Sequence, residues 1–202
     1  ARYVRQDPDT FVFNLMTRSQ RITWENLKKR DPALVERVAA RFAGQVPAAS
    51  TVPAPAPSRP PLLTPLTLRG VTLPNRVVVS PMCQYSAVDG VPQEWHLVHL
   101  GSRAVGGAGL VMGEATGVSP EGRITLGCTG LWSEEQRAAW ERIVRFVHRE
   151  SASKIGLQLA HAGRKASCAL PWEGDGPLKD ARAWRTLAPS AQPFNTGWHV
   201  PQ

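Results

Sequence analysis

The spacing of apolar residues changes along the chain, and the changes mark out strands and helices. Arg76-Val77-Val78-Val79-Ser80 is a β-branched run stopped at once by Pro81. It predicts a fully buried strand that ends there, because proline has no N–H to give to a ladder. Leu110-Val111-Met112-Gly113-Glu114-Ala115 and residues 154–160 predict two more strands, the last with Ile155, Leu157 and Leu159 on one face and Gln158 on the other. Between the strands the apolar period lengthens to that of a helix. One helix is predicted over 93–104 and is closed by Gly106-Gly107-Ala108-Gly109. A second follows Ser133, whose spacing to Gln136 makes a capping box, with Glu134 and Glu135 at the positive helix end. Trp140, Ile143, Val144 and Val147 form its apolar stripe.

Strand, helix, strand, helix, strand with short connections predicts an α/β fold with a parallel sheet and crossover helices. The architecture it suggests is the N-terminal part of a (β/α)8 TIM barrel. Three strands cannot close a barrel that uses about eight, and residues 161–202 carry no strong helix or strand period, so the barrel is expected to be incomplete. Leu66-Thr67-Leu68 and Val71-Thr72-Leu73 flank Arg69-Gly70 and predict a hairpin ahead of the first barrel strand, with Gly70 free to take a positive φ.

Further upstream, Asp31 as N-cap, Pro32 at the first helical position and Gly44 past the end bracket a helix whose Leu34, Val35, Val38 and Phe42 share a face. Phe11-Val12-Phe13-Asn14-Leu15-Met16 is an apolar run that periodicity does not assign. Prolines 47, 53, 55, 57, 60 and 61 then read as a semi-rigid linker. Three segments result: 1–46, too short for a core of its own and read as the tail of another domain; 47–61, a Pro/Ala-rich linker; and 62–202, the incomplete barrel.

Charge and cysteine content narrow the functional classes. The net charge of +8 is spread along the chain without interleaved aromatics, which argues against a nucleic-acid partner and leaves anionic cofactors or coenzyme A esters as candidates. Three widely spaced cysteines, Cys83, Cys128 and Cys168, argue against a disulfide framework and for a reducing, cytoplasmic setting. No run is long and apolar enough to span a bilayer, so no membrane partner is expected. No C-x-x-C occurs, and His96 and His99 one turn apart lack a third ligand, so both read as structural and no metal is expected. The glycines at 106–109 precede a strand, whereas a dinucleotide fingerprint follows one.

Ligands of parallel α/β sheets bind at the carboxyl ends of the strands. Ser80, Pro81, Met82 and Cys83 stand at the first such end, Glu114 and Ala115 at the second, and Gln158 near the third, which runs into His161-Ala162-Gly163-Arg164-Lys165. A soft, redox-sensitive thiol there could tune a flavin, or Met82 and Cys83 could merely plug the top of a barrel.

Leu63-Thr64-Pro65-Leu66, Leu73-Pro74-Asn75-Arg76, Ser80-Pro81-Met82-Cys83-Gln84-Tyr85, Glu114-Ala115, Gly122-Arg123, Gln158-Leu159-Ala160-His161-Ala162-Gly163-Arg164-Lys165 and Ala188-Pro189-Ser190 together resemble the N-terminal part of the old yellow enzyme family. Cys83 is similar to the cysteine of its thermophilic-like subgroup. The resemblance implies an eight-fold barrel with noncovalent FMN, reduced by NADPH or NADH, that passes a hydride to the β-carbon of an activated alkene. It implies that Ser80, Pro81 and Met82 contact FMN, that Cys83 approaches its ring and modulates its potential, and that Ala115 packs near it. It further implies that Gln158 hydrogen-bonds the pyrimidine side and that Tyr85 faces the substrate. The family's substrate-binding histidine motif, proton-donating tyrosine and phosphate-gripping arginine and glycines fall outside the matching stretch, so no catalytic residue is expected here.

Residues 16–21 and Glu25-Asn26-Leu27 resemble the end of the FAD-dependent monooxygenase half of bifunctional enzymes of the salicylyl-CoA 5-hydroxylase and 2-aminobenzoyl-CoA monooxygenase/reductase type. That resemblance implies FAD in an upstream domain, a small-molecule enone or acyl-CoA substrate, and a homo-oligomeric parent. Rival readings are a non-catalytic docking half-barrel and a stand-alone ene-reductase fragment with an unrelated leader.

Overall fold

The computed structural model describes residues 23–44 and 59–202. The apolar run at 11–16 and linker residues 47–58 lie outside the described residues. Contacts divide the chain into two compact units, Ala1–Asn75 and Arg76–Gln202.

In the first unit, α1 (Trp24–Arg30) begins at Thr23, whose Oγ1 accepts the Asn26 N–H at 3.1 Å. The predicted helix follows as α2 (Pro32–Ala43). Asp31 caps it by accepting the Leu34 N–H at 2.9 Å, and Gly44 ends it. Its most buried residues are Val35 and Ala39, on the predicted face. β1 (Leu66–Leu68) and β2 (Val71–Leu73) pair antiparallel with Leu68 opposite Val71. The left-handed residue of this turn is Arg69, at φ 52°, where Gly70 was expected. A two-residue hairpin loop asks for positive φ at its first central position, and that position holds the arginine.

The second unit is the predicted parallel sheet, in the order β3 (Val78–Val79), β4 (Leu110–Gly117), β5 (Lys154–Ala160). Its crossovers are α3 (Glu94–Val105) and α4 (Glu134–Glu150), which pack on each other. Gly101 permits the approach, since a Cβ there would meet the Phe146 ring at 2.7 Å. The core joins Leu100 and Ala104 of α3, Trp140, Ile143 and Val147 of α4, and Val111 of β4, with Val77, Val79, Ile155 and Leu157 packed against it.

Two expectations are corrected. The strand after Arg76 pairs over two residues only, and Val78 is 48% exposed, because β3 is an edge strand whose helices cover the side chains of Val77 and Val79 alone. Leu159 follows the alternation of Ile155 and Leu157 yet is 62% exposed, lying beyond the end of that core. Residues 161–202 form no helix or strand beyond two short 3₁₀ turns, Gly163–Lys165 and Pro171–Glu173. They are nevertheless pinned down: Cys168 bridges both Thr125 and Pro177, and Ala166, Ser167, Leu178 and Thr186 are buried.

The α4 cap reaches further than its own helix. Gln136 Oε1 accepts the N–H groups of Trp132 (2.8 Å) and Ser133 (3.2 Å), while its Nε2 donates to Asp89 O at 3.0 Å, 47 residues away. Gln136→Leu therefore takes the partner from the half-buried Trp132 and Ser133 N–H groups and from the Asp89 carbonyl, a loss of about 1–3 kcal/mol. Urea unfolding should show a lowered midpoint of that size; an unchanged midpoint would reduce the side chain to an ordinary helix cap.

Candidate functional site

The carboxyl end of β3 runs into an irregular segment from Ser80 to Ser86. Its turn is held by its own side chains: Gln84 Nε2 donates to Met82 O at 2.7 Å, Ser86 Oγ to Gln84 O at 2.8 Å, and Trp95 Nε1 to Gln84 Oε1 at 2.9 Å. Tyr85 sits at φ 52°, a left-handed conformation costly for an aromatic residue. Its ring packs edge to face on Trp172, centroids 6.1 Å apart. The segment is clamped by the loop after β4, where Gly127 O accepts the Ala87 N–H at 3.0 Å. A Cβ on Gly127 would lie 2.5 Å from Tyr85 O, so only glycine fits this crossing.

A β-bulge defines the second strand end. Gly113 pairs with Leu157 and Ala115 with Gln158, leaving Glu114 as the extra residue. Glu114 was expected to emerge at the carboxyl face; instead it is buried, with Oε1 3.0 Å from His96 Nε2 and Oε2 accepting the Gln84 N–H at 3.4 Å. His96 Nδ1 accepts the Gln93 N–H at 2.9 Å, which leaves Nε2 as the protonated nitrogen facing the carboxylate. His96 is thus structural, as its sequence context suggested. His99, also buried, has its pKa lowered by burial and by the neighbouring Arg103 and His96.

The structure gathers the predicted cofactor-side residues. Ala115 is in register with Gln158 on β5, and the end of the neighbouring β3 leads into Cys83. Ser80, Met82 (44% exposed) and Gln158 are exposed beside them, and Pro81 is half-buried. Tyr85 lies in the same segment, its pKa raised by burial and then by Cys83 and Cys128.

Sequence reasoning gave no role to Cys128, which is buried with its sulfur accepting the Thr125 N–H at 3.4 Å. It also missed the cation clamp in Gly122-Arg123, where the Arg123 guanidinium lies 5.4 Å from the Trp132 ring and 5.5 Å from the Trp184 ring. Among the described residues no group of three His, Cys, Asp or Glu could hold a metal ion, and no helix is long and apolar enough to cross a membrane.

Polar and soft groups stand at the carboxyl ends of the three parallel strands of this α/β fold, the end at which parallel α/β proteins carry their ligands. The chain belongs to the NADH:flavin oxidoreductase / NADH oxidase family, whose model matches residues 61–188. It is 49% identical over 134 residues to an NADH:flavin oxidoreductase of Gibberella zeae, covering 64% of this chain and 32% of that protein. It is 43% identical over 143 residues to an NADPH dehydrogenase of Geobacillus sp., covering 70% and 38%. Among solved structures it resembles morphinone reductase in complex with tetrahydroNAD, with 36% identity, a TM-score of 0.54, and coverage of 66% of this chain and 34% of that one. It also resembles the old yellow enzyme from Trypanosoma cruzi, with 30% identity, a TM-score of 0.56, and coverage of 70% and 41%. The chain spans about a third to two fifths of the length of these relatives.

The buried contact at Glu114 makes a direct prediction. Glu114→Leu removes the acceptor of the Gln84 N–H and leaves the buried His96 without its facing carboxylate, a loss of about 1–3 kcal/mol, whereas Glu114→Gln, which keeps an oxygen for the Gln84 N–H, should cost less. Equal denaturation midpoints for the two variants would show that the acceptor is not what the site needs.

Proposed function

We propose that this chain is the N-terminal portion of an FMN-dependent NAD(P)H oxidoreductase barrel. The observation that carries the reading is the register of Ala115 with Gln158, which sets two expected flavin neighbours side by side at the strand ends, next to the end of β3 that leads into Cys83. The residues fit the group: Ala115 is small enough to let a flat ring approach, and the exposed Gln158 amide can both donate and accept along a pyrimidine edge. Bound FMN would supply the hydride chemistry, taking a hydride from NADPH or NADH and delivering it to an activated alkene. The chain's own part is to hold and orient. Ser80, Pro81 and Met82 line the approach, Cys83 sets a polarizable sulfur against the ring, and Tyr85 faces the substrate side. No residue of this stretch is assigned a catalytic step.

The resemblance of residues 16–27 supports a finer reading, in which 1–46 is the tail of an FAD monooxygenase-like domain, 47–61 a linker and 62–202 the start of the FMN barrel. The substrate would then be an enone or a dearomatised aromatic acyl-CoA, and the parent a homo-oligomer. Three free cysteines favour a cytoplasmic setting.

Two variants of the full-length protein test the site. Gln158→Leu strips a partner from a polar edge of the flavin, a loss of about 1–3 kcal/mol, so FMN should bind roughly ten- to a hundred-fold more weakly in a fluorescence titration. Wild-type affinity would move the pyrimidine contact elsewhere. Cys83→Ala should leave FMN bound but shift its two-electron potential by at most a few tens of millivolts, since one weak hydrogen bond is worth about 1 kcal/mol or less. A potential identical to wild type in a dye-coupled titration would remove the tuning role.

A further inference from the structure

Residues 166–187 lie between two strings that carry the family resemblance, and the flavin reading uses none of them. They form a strap that is tied down on both sides of a turn. Cys168 bridges Thr125 and Pro177, its N–H donating to Ile124 O at 2.8 Å, and the Leu178 N–H donates to Ser167 O at 2.8 Å. Between these bonds lies the 3₁₀ turn Pro171–Glu173. Leu170 O accepts the Glu173 N–H at 2.8 Å and the Asp175 N–H at 3.3 Å, and Gly174 turns the chain back at φ 114°. Glu173 Oε2 accepts the Leu170 N–H at 3.4 Å and lies 3.1 Å from Arg182 Nη1, while Arg182 Nη2 lies 2.9 Å from Asp180 Oδ2. The turn presents Trp172. Its ring packs edge to face on Tyr85, centroids 6.1 Å apart and planes at 89°, yet the residue is 68% exposed. The contact is fixed from a third loop: a Cβ on Gly127 would lie 2.5 Å from Tyr85 O and 3.1 Å from Leu170 Cδ2, so the Tyr85 backbone and the foot of the turn crowd the same bare glycine. The segments after β3, β4 and β5 thus meet at two aromatic rings set at right angles.

We propose that Trp172 is a specificity-determining residue: with Tyr85 it forms an aromatic corner that takes the flat ring of a substrate whose activated alkene carries an aryl group. The proposal rests on the reading of Tyr85 as a substrate-side residue. A large apolar ring held in place by its own turn and left uncovered beside a ligand end is a surface for a guest, since burial in a core would have closed over it. An aryl guest gains twice on such a corner. It removes its own face and that of the indole from water, and it meets the ring quadrupoles in offset or edge-to-face contact. A saturated ring of the same size gains the first and forgoes the second, and it is too thick to lie flat. The strap therefore sorts substrates by the group attached to the alkene, while the alkene and its reduction stay the same.

The experiment is a calorimetric titration of the full-length protein with two ketones that have no alkene to reduce, benzylacetone and its cyclohexyl analogue, in which the same ring is saturated. No turnover is needed. Wild type should prefer the aryl ketone. Trp172→Ala should weaken that ketone roughly ten-fold and the cyclohexyl one by less, so that the preference collapses. Trp172→Phe, which keeps a flat ring at the turn, should retain the preference. Equal weakening of both ketones in Trp172→Ala would reduce the indole to a brace for Tyr85 and overturn the proposal. Unchanged binding of both would overturn it as well, by placing the ring away from the ligand. FMN titrations separate this outcome from the reading beneath it. Wild-type FMN affinity in Trp172→Ala with no change in ketone preference sinks the corner alone, whereas a protein that binds no FMN but loses its aryl preference in Trp172→Ala sinks the flavin reading alone.

Discussion

The second unit depends on the burial of one carboxylate. Glu114 occurs at the only register shift recorded between β4 and β5, so an extra residue sits where the ladder would otherwise run on. Its carboxylate faces His96 on α3 and receives the backbone of Gln84 from the segment after β3. Three elements far apart in sequence therefore meet at one side chain. Burying a carboxylate is costly without partners, and here the facing imidazole of His96 and the Gln84 N–H offset part of that cost while the latter fixes the strand-end segment in place. Because the bulge absorbs Glu114, Ala115 is returned to register with Gln158, and the two stand side by side at the strand ends.

Around this contact the loops are packed by contrast of size. Gly130 and Gly90 lie against Trp132, where added Cβ atoms would come within 2.0 and 2.5 Å of the indole. Gly122 lies under His161 in the same way, at 2.8 Å. Arg123 then fills the space between Trp132 and Trp184, and Trp184 Nε1 donates to Glu121 O at 3.0 Å. Large flat rings against bare backbone leave little freedom to the loops after β4 and β5, which is why 161–202 can be ordered without regular secondary structure. A cation held between two indoles adds an attraction that needs no exact hydrogen-bond geometry.

The same arrangement explains why the ligand end stays open. The helices cover one side of the sheet and gather Val77, Val79, Ile155 and Leu157 beneath them, while Val78 and Leu159 remain exposed. Ser80, Met82 and Gln158 project where no described residue closes over them. These accessible, differently polar groups thus stand on a support that the bulge makes rigid.

What the chain's local pattern determined by itself was the order and kind of elements. The Ser133–Gln136 cap, the Asp31–Pro32 start and the turn at Arg69-Gly70 are decided by neighbours within four residues, and each appears where the pattern put it, whereas the β-branched run after Arg76 pairs over two residues only. Motif order also carried the family, because Ser80–Tyr85, Glu114-Ala115 and Gln158–Lys165 are contiguous strings. Contacts across the fold were not legible. Whether Val78 is buried depends on which strands flank it, and Glu114 turns inward because a bulge of β4 meets His96 some 18 residues earlier. Gly127, 40 positions after Ala87, accepts its N–H only when the loop after β4 folds back over the segment after β3. Pairings of that kind belong to tertiary structure, since they are set by where backbones cross in space and not by any period along the chain.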